Sequence, residues 1–181
     1  MENRNKASYK KKIIFKVTYI QRFQNQIEQE KRYMNNLTFL INSIFDKNNN
    51  TACGAMKTLA ELSEQSDEVY AYMGTFIEML ENENSYVRNR GLILIAANAR
   101  WDKDFKIDEI IDDYLRHITD PKPITARQCI ASLPKIAESK PDLRTDILKA
   151  LKSADVSHYP DSMCGLVFKD IQNALREVEK L

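Results

Sequence analysis

Four stretches of the chain follow one plan: an amphipathic helix, a short polar turn, and a second, more apolar helix. The plan is plainest in the middle, where "DEVYAYMGTFIEML" leads through "ENENS" to "YVRNRGLILIAA", and "IDEIIDDYLRHI" leads through "TDPKP" to "ITARQCIASLPKIA". "LTFLINSIF", "DKNNN" and "TACGAMKTLAEL" form a unit before them, and "DLRTDILKAL", "SADVSHYPDS" and "MCGLVFKDIQNAL" one after. Placing Ala55, Gly91, Cys129 and Val167 at one equivalent position gives spacings of 36, 38 and 38 residues. In that register Leu59, Ile95, Leu133 and Ile171 coincide four positions on, along the same helical face. The turns align too: Asp46, Asn82, Asp120 and His158 are equivalent, and three of these are side chains that readily cap a turn or helix start. A single hairpin of this kind cannot bury its apolar stripe alone, so the constraint on the fold is that neighbouring hairpins stack.

Within a hairpin the periodicity is helical. Ile107, Ile110, Ile111, Tyr114, Leu115 and Ile118 fall on one side of the first helix of the third unit, with Asp112, Asp113 and Arg116 on the other. "GLILIAANA" is apolar nearly all round, as expected of a helix with neighbours on several sides, and Ala96, Ala97 and Ala99 allow close approach. Pro134 lies within a second helix and is expected to bend it. The four glycines are too few for a phosphate-cradling loop or for many tight hairpins, which favours an all-α chain.

The segments "ENENSYVRNRGLILIA" and "DPKPITARQCIASLPKIA" resemble the second helices of HEAT repeats, over about residues 36–181. The family's Val-Arg pair stands as Val87-Arg88, partly as Ala126-Arg127, and not in the first and last units. The resemblance implies a right-handed α-α superhelix, a HEAT/armadillo-like solenoid of about four helical hairpins occupying residues 34–181. It also implies a concave wall built from the second helices, and a structural Arg88 that hydrogen-bonds turn carbonyls or an acid such as Glu83 and keeps successive repeats in line.

Residues 1–33 carry 9 Lys/Arg and 3 Asp/Glu, a charge of 9 − 3 = +6, which leaves 18 − 23 = −5 for residues 34–181. This segment reads as a basic N-terminal extension, either helical from about Val17 to Tyr33 or not native to the domain, with Met34 opening the part that fits the repeats. A basic arm for nucleic acid or membrane is the competing reading. No window approaches the ~18 apolar residues of a membrane span, and Lys16 interrupts the apolar run "IIFKVTYI", so neither a secretory signal nor a membrane anchor is expected. Cys53, Cys129, Cys164, His117 and His158 match no metal-ligand or redox spacing. The expectation is a reduced cytoplasmic protein with no metal and no cofactor.

Projecting the register puts Phe168 in the core with Ile130, and leaves Lys57, Tyr86, Arg90, Arg127, Gln128, Lys135 and Lys169 on the inner wall, beside Glu61, Asn89 and Asn173. These lean positive and are the candidate partner-binding residues, with Arg90 the strongest surface candidate. Trp101 either stacks on a ligand or, with Phe105, plugs the gap between hairpins. No catalytic residues are expected: Asp112 and Asp113, like Asp67 and Glu68, diverge around a helix, and nothing completes a Cys164-His158 nucleophile. The leading function is therefore a non-enzymatic module that binds a protein partner. The alternative is nucleic-acid binding, since some HEAT-like proteins are DNA glycosylases acting on alkylated bases, with Trp and Asp around the lesion; here Trp101 and Asp102 are adjacent. A third reading is a subunit or chaperone-like accessory of a metabolic assembly, with Ile93, Ala97 and Ala131 as a small docking patch or homo-oligomer contact.

Overall fold

The computed structural model describes the backbone of residues 2–181 and the side chains of residues 21, 22 and 24–181. The fold is all-α, with no strand among the described residues. Eight α-helices follow in order: α1 Glu2–Ser43, α2 Asn49–Ser63, α3 Met73–Glu78, α4 Ser85–Asn98, α5 Lys106–Leu115, α6 Pro123–Ser139, α7 Arg144–Ser153 and α8 Asp161–Val178. Among these residues, no helix is long and apolar enough to cross a membrane.

The chain divides into two compact units, residues 1–39 and 40–181. From residue 2 onward the first is α1, and that helix runs without interruption past residues 33 and 34, where a boundary was expected. No proline or glycine stands between Tyr33 and Ser43 to stop it.

In the second unit the turns are built as the repeat predicts. Asp46 Oδ1 accepts from the Asn48 amide at 2.7 Å, Asn82 Oδ1 from the Asn84 amide at 2.9 Å, and Asp120 Oδ1 from the Lys122 amide at 2.8 Å. The three equivalent side chains thus fold the same two-residue bend. Asn48 then caps α2 through the amides of Asn50 and Thr51, and Asn84 caps α4 through the amide of Tyr86. α6 opens instead on Pro123, at a position whose amide would find no acceptor. The fourth unit departs from the register: Asp155, not His158, makes the bend, accepting from Ser157 N at 2.9 Å, because the turn before α8 is longer.

The second helices pack in a row, α2 on α4, α4 on α6 and α6 on α8. The row Leu59, Ile95, Leu133 and Ile171 is buried throughout. First helices are shorter than expected: "DEVYAYMGTFIEML" becomes a 3-10 turn over Glu68–Tyr72, α3, and another over Met79–Glu81. α3 and the turn after it press on α4 at Gly91, where an added Cβ would lie 2.8 Å from Met79 Cβ and 2.9 Å from the Phe76 carbonyl oxygen. α7 packs on α8.

Three expectations about burial are corrected. Phe168 is 55% exposed rather than in the core; Val167 and Ile171 hold that helix to the rest. Ala97 is 3% exposed and Ile93 half-buried, so of the expected patch only Ala131 is open, because α4 has neighbours on both sides. Phe105 is 61% exposed and takes a left-handed backbone (φ 59°) at the start of α5, and its ring lies 4.6 Å from Lys140 Nζ at the surface, not buried in a gap between hairpins.

Candidate functional site

Two polar ladders and one groove define the surface that the second helices present. The first ladder runs along the turns. Arg88 Nη1 donates to the carbonyls of Asn82 at 2.8 Å and Glu83 at 3.0 Å, while Nε and Nη2 grip the Asp120 carboxylate at 2.9 and 2.8 Å. His117 Nδ1 lies 2.8 Å from the same carboxylate, and the Tyr159 hydroxyl donates to the Asp120 carbonyl at 2.6 Å. Burial opposes ionisation of Asp120, but Arg88, the Lys122 amide and His117 outweigh it and hold the carboxyl below the usual range. Burial, with the nearby Asp120 charge, pushes the Tyr159 phenol up to about 12.

The second ladder joins the opposite helix ends. Trp101 Nε1 donates to the Ser63 carbonyl at 2.7 Å, tying the end of α4 to the end of α2, and the Arg100 guanidinium lies 5.2 Å from the indole centre. This contact occupies the indole N–H in a bond between two hairpins. Next to it, buried Asp102 accepts from Tyr70 Oη at 2.8 Å, from the amides of Lys106 and Ile107 at 3.0 Å each, and from Lys140 Nζ at 3.0 Å. It thereby closes the N-terminus of α5, where a negative charge is favoured. Lys140 Nζ also meets Asp108 at 2.5 Å. Burial alone would raise the Asp102 carboxyl, but Tyr70, Lys140 and the Ile107 amide bring it below the ordinary value. Burial, seconded by Asp102 and Asp104, raises the Tyr70 phenol.

No family model, curated protein or solved structure matches the chain.

Between α6 and α8 lies an open groove of about 450 Å³. Ile130, Ala131, Pro134 and Ala174 give it apolar walls, and Arg127, Gln128, Asp170, Asn173 and Glu177 its polar rim. Ile124, 58% exposed at the N-terminal end of α6, extends the apolar wall; sequence reasoning passed over it because a single exposed isoleucine carries no periodic signal.

The structure separates the expected wall residues. Lys57, Lys169 and Tyr86 are exposed, Tyr86 at 56%. Arg127 and Gln128 line the groove, but Arg127 Nε is paired with Asp170 at 2.5 Å, and Gln128 Nε2 donates to Ser132 Oγ at 3.4 Å. Lys135 is paired with Glu64 at the end of α2. Arg90 is not on the surface: it is 5% exposed, and no acceptor among the described residues reaches its Nε. Burial depresses its basicity, offset in part by the neighbouring Cys53. The positive lean expected of this wall is therefore largely neutralised within the fold, with two lysines left unburied at Lys57 and Lys169.

The ladders contain the residues that sequence reasoning missed, Tyr70, Lys140 and Tyr159. Arg88, Asp120 and Trp101 carried a signal, through the family resemblance, the aligned turn side chains and the inter-hairpin connection. Among the described residues, no group of His, Cys, Asp and Glu side chains is placed to hold a metal ion.

Proposed function

We propose that this protein is a non-enzymatic binding module, a HEAT-like α-solenoid whose second helices form a wall that receives a protein partner in the α6–α8 groove. The observation that carries the reading is the groove itself, where the apolar surface of Ile124, Ala131 and Pro134 lies among paired or hydrogen-bonding side chains such as Arg127, Gln128 and Asp170. Apolar surface flanked by polar groups lets a protein side chain be desolvated on binding while its neighbours keep their hydrogen bonds. The row of second helices and its repeated turns support the solenoid reading. Three unpaired cysteines, one of them fully buried, fit a reducing cytoplasm.

A protein ligand is favoured over a nucleic acid. Phosphate recognition calls for free cations, yet Arg127 and Lys135 are held by Asp170 and Glu64, and Arg90 is buried. The test is capture from native lysate by wild type and by Ala131→Trp, which fills the groove from an exposed position. A protein retained by wild type, lost with Ala131→Trp and little affected by salt supports the reading. Retention of the same partner by both forms, or elution of nucleic acid with steep salt dependence, overturns it.

A further inference from the structure

The repeat register makes the two ends of the helix row comparable with its interior. Met56, Leu92, Ile130 and Phe168 occupy one equivalent position, 36, 38 and 38 residues apart, on α2, α4, α6 and α8. The first three are 6%, 0% and 0% exposed, and Phe168 is 55% exposed. Ile130 faces α8 across the groove. Phe168 therefore lies on the α8 face that corresponds to the α8-facing side of α6. Leu166, equivalent to the groove residue Gln128, stands beside it at 43% exposed, and Gly165 adds no bulk.

The opposite end of the row supplies a matching surface. The α8 residues that face α6 across the groove are Asp170, Asn173, Ala174 and Glu177, whose equivalents at the start of the row are Thr58, Glu61, Leu62 and Gln65. Thr58, Glu61 and Gln65 are exposed and Leu62 is half-buried. Ala131 and Asn173 line the same groove inside the molecule, and their equivalents are Lys169 and Glu61, both exposed and of opposite charge.

We propose that a second copy of this chain docks head to tail, the α8 face with Phe168 and Lys169 of one molecule seating on the α2 face with Leu62 and Glu61 of the next. The contact repeats the internal α6–α8 packing between molecules. It is heterologous, so one association leaves a free end of each kind and further copies can add. It is independent of the partner groove between α6 and α8.

Sedimentation velocity on the full chain, over about a hundredfold range of concentration, tests this with four proteins: wild type, Phe168→Asp, Lys169→Glu and Glu61→Lys. All three substitutions fall on exposed residues, and circular dichroism checks that each variant keeps the wild-type fold. Wild type is expected to grow in mass with concentration, and each charge reversal alone to weaken association by about tenfold or more, since it sets like charges together. In a mixture of Lys169→Glu with Glu61→Lys, every junction between unlike molecules sets opposite charges together, one as in wild type and one with the charges exchanged, so the mixture should regain association by alternation. Wild type that stays monomeric throughout, variants that associate as well as wild type, or a mixture no more associated than its components would each overturn the proposal.

Discussion

Arg88 and Asp120 meet as a two-pronged pair across the boundary of two hairpins, with Nε to Oδ2 at 2.9 Å and Nη2 to Oδ1 at 2.8 Å. The side chains are 11% and 1% exposed, so the pair sits largely out of water. Because Arg88 also binds the carbonyls of Asn82 and Glu83, the pair fastens two successive turns, and the Tyr159 hydroxyl on the Asp120 backbone carbonyl adds the third.

Arg88→Ala leaves the Asp120 carboxylate buried beside only His117 and an amide. The expected loss is about 3 kcal/mol or more, measured by urea unfolding. Asp120→Asn keeps an acceptor for the Lys122 amide and should lose less.

Stability should depend on acid in a defined window. Asp102 and Asp120 both have folded values below the unfolded carboxyl value of about 3.9. The unfolded chain then binds protons first as pH falls, so the stabilisation is present above about pH 4 and is lost as pH drops through the folded values. Urea midpoints followed from roughly pH 7 to 3 should fall at the acid end, and Asp120→Asn should flatten that fall.

Gly91→Ala sets two effects against each other. Alanine favours a helix over glycine by about 1 kcal/mol. Its Cβ, however, would meet Met79 Cβ at 2.8 Å and the Phe76 carbonyl at 2.9 Å, and a backbone oxygen cannot swing aside. The clash should win, with a net destabilisation of about 1–2 kcal/mol in thermal or urea unfolding.

Arg90→Met should raise stability. It removes a guanidinium whose Nε is buried without an acceptor and replaces it with an apolar chain of similar length. The expected gain is about 1 kcal/mol or more by urea unfolding. Arg90→Glu should unfold the protein more readily than it alters any surface contact.

Tyr159→Phe deletes the 2.6 Å bond to the Asp120 carbonyl and leaves a buried acceptor unmet. A loss of about 1–3 kcal/mol is expected. An alkaline absorbance titration should also lose a tyrosine that ionises near 12.

What could be read from the sequence was whatever repeats. Leu59, Ile95, Leu133 and Ile171 are buried and Asp46, Asn82 and Asp120 fold identical bends because each is fixed by neighbours a few residues away, and those neighbours recur. Phe168 was misread for the same reason: its equivalent Ile130 is buried by α8, and no described element stands in that place beyond α8. Equivalent residues need not have equivalent neighbours. Arg90 looked like an open wall charge because position around a helix says nothing of what packs over it. The Arg88–Asp120 pair was half legible: its reach to turn carbonyls followed from the family resemblance, but its acid lies in the following turn, not at Glu83. Lys140 and Tyr159 bond to groups 38 and 39 residues away, one a side chain and one a backbone carbonyl, and no spacing rule reveals such partners.

The ladders reach forward along the chain by one unit at a time: the Ser63 carbonyl waits for Trp101, the Asp102 side chain for Lys140, and the Asp120 carbonyl for Tyr159. On a translating ribosome each of these groups emerges 38 or 39 residues ahead of its partner, an interval of about 2–8 seconds at ordinary synthesis rates. A newly emerged hairpin is therefore latched only by the next one, and the pace of translation sets how long its loose end stays exposed to chaperones.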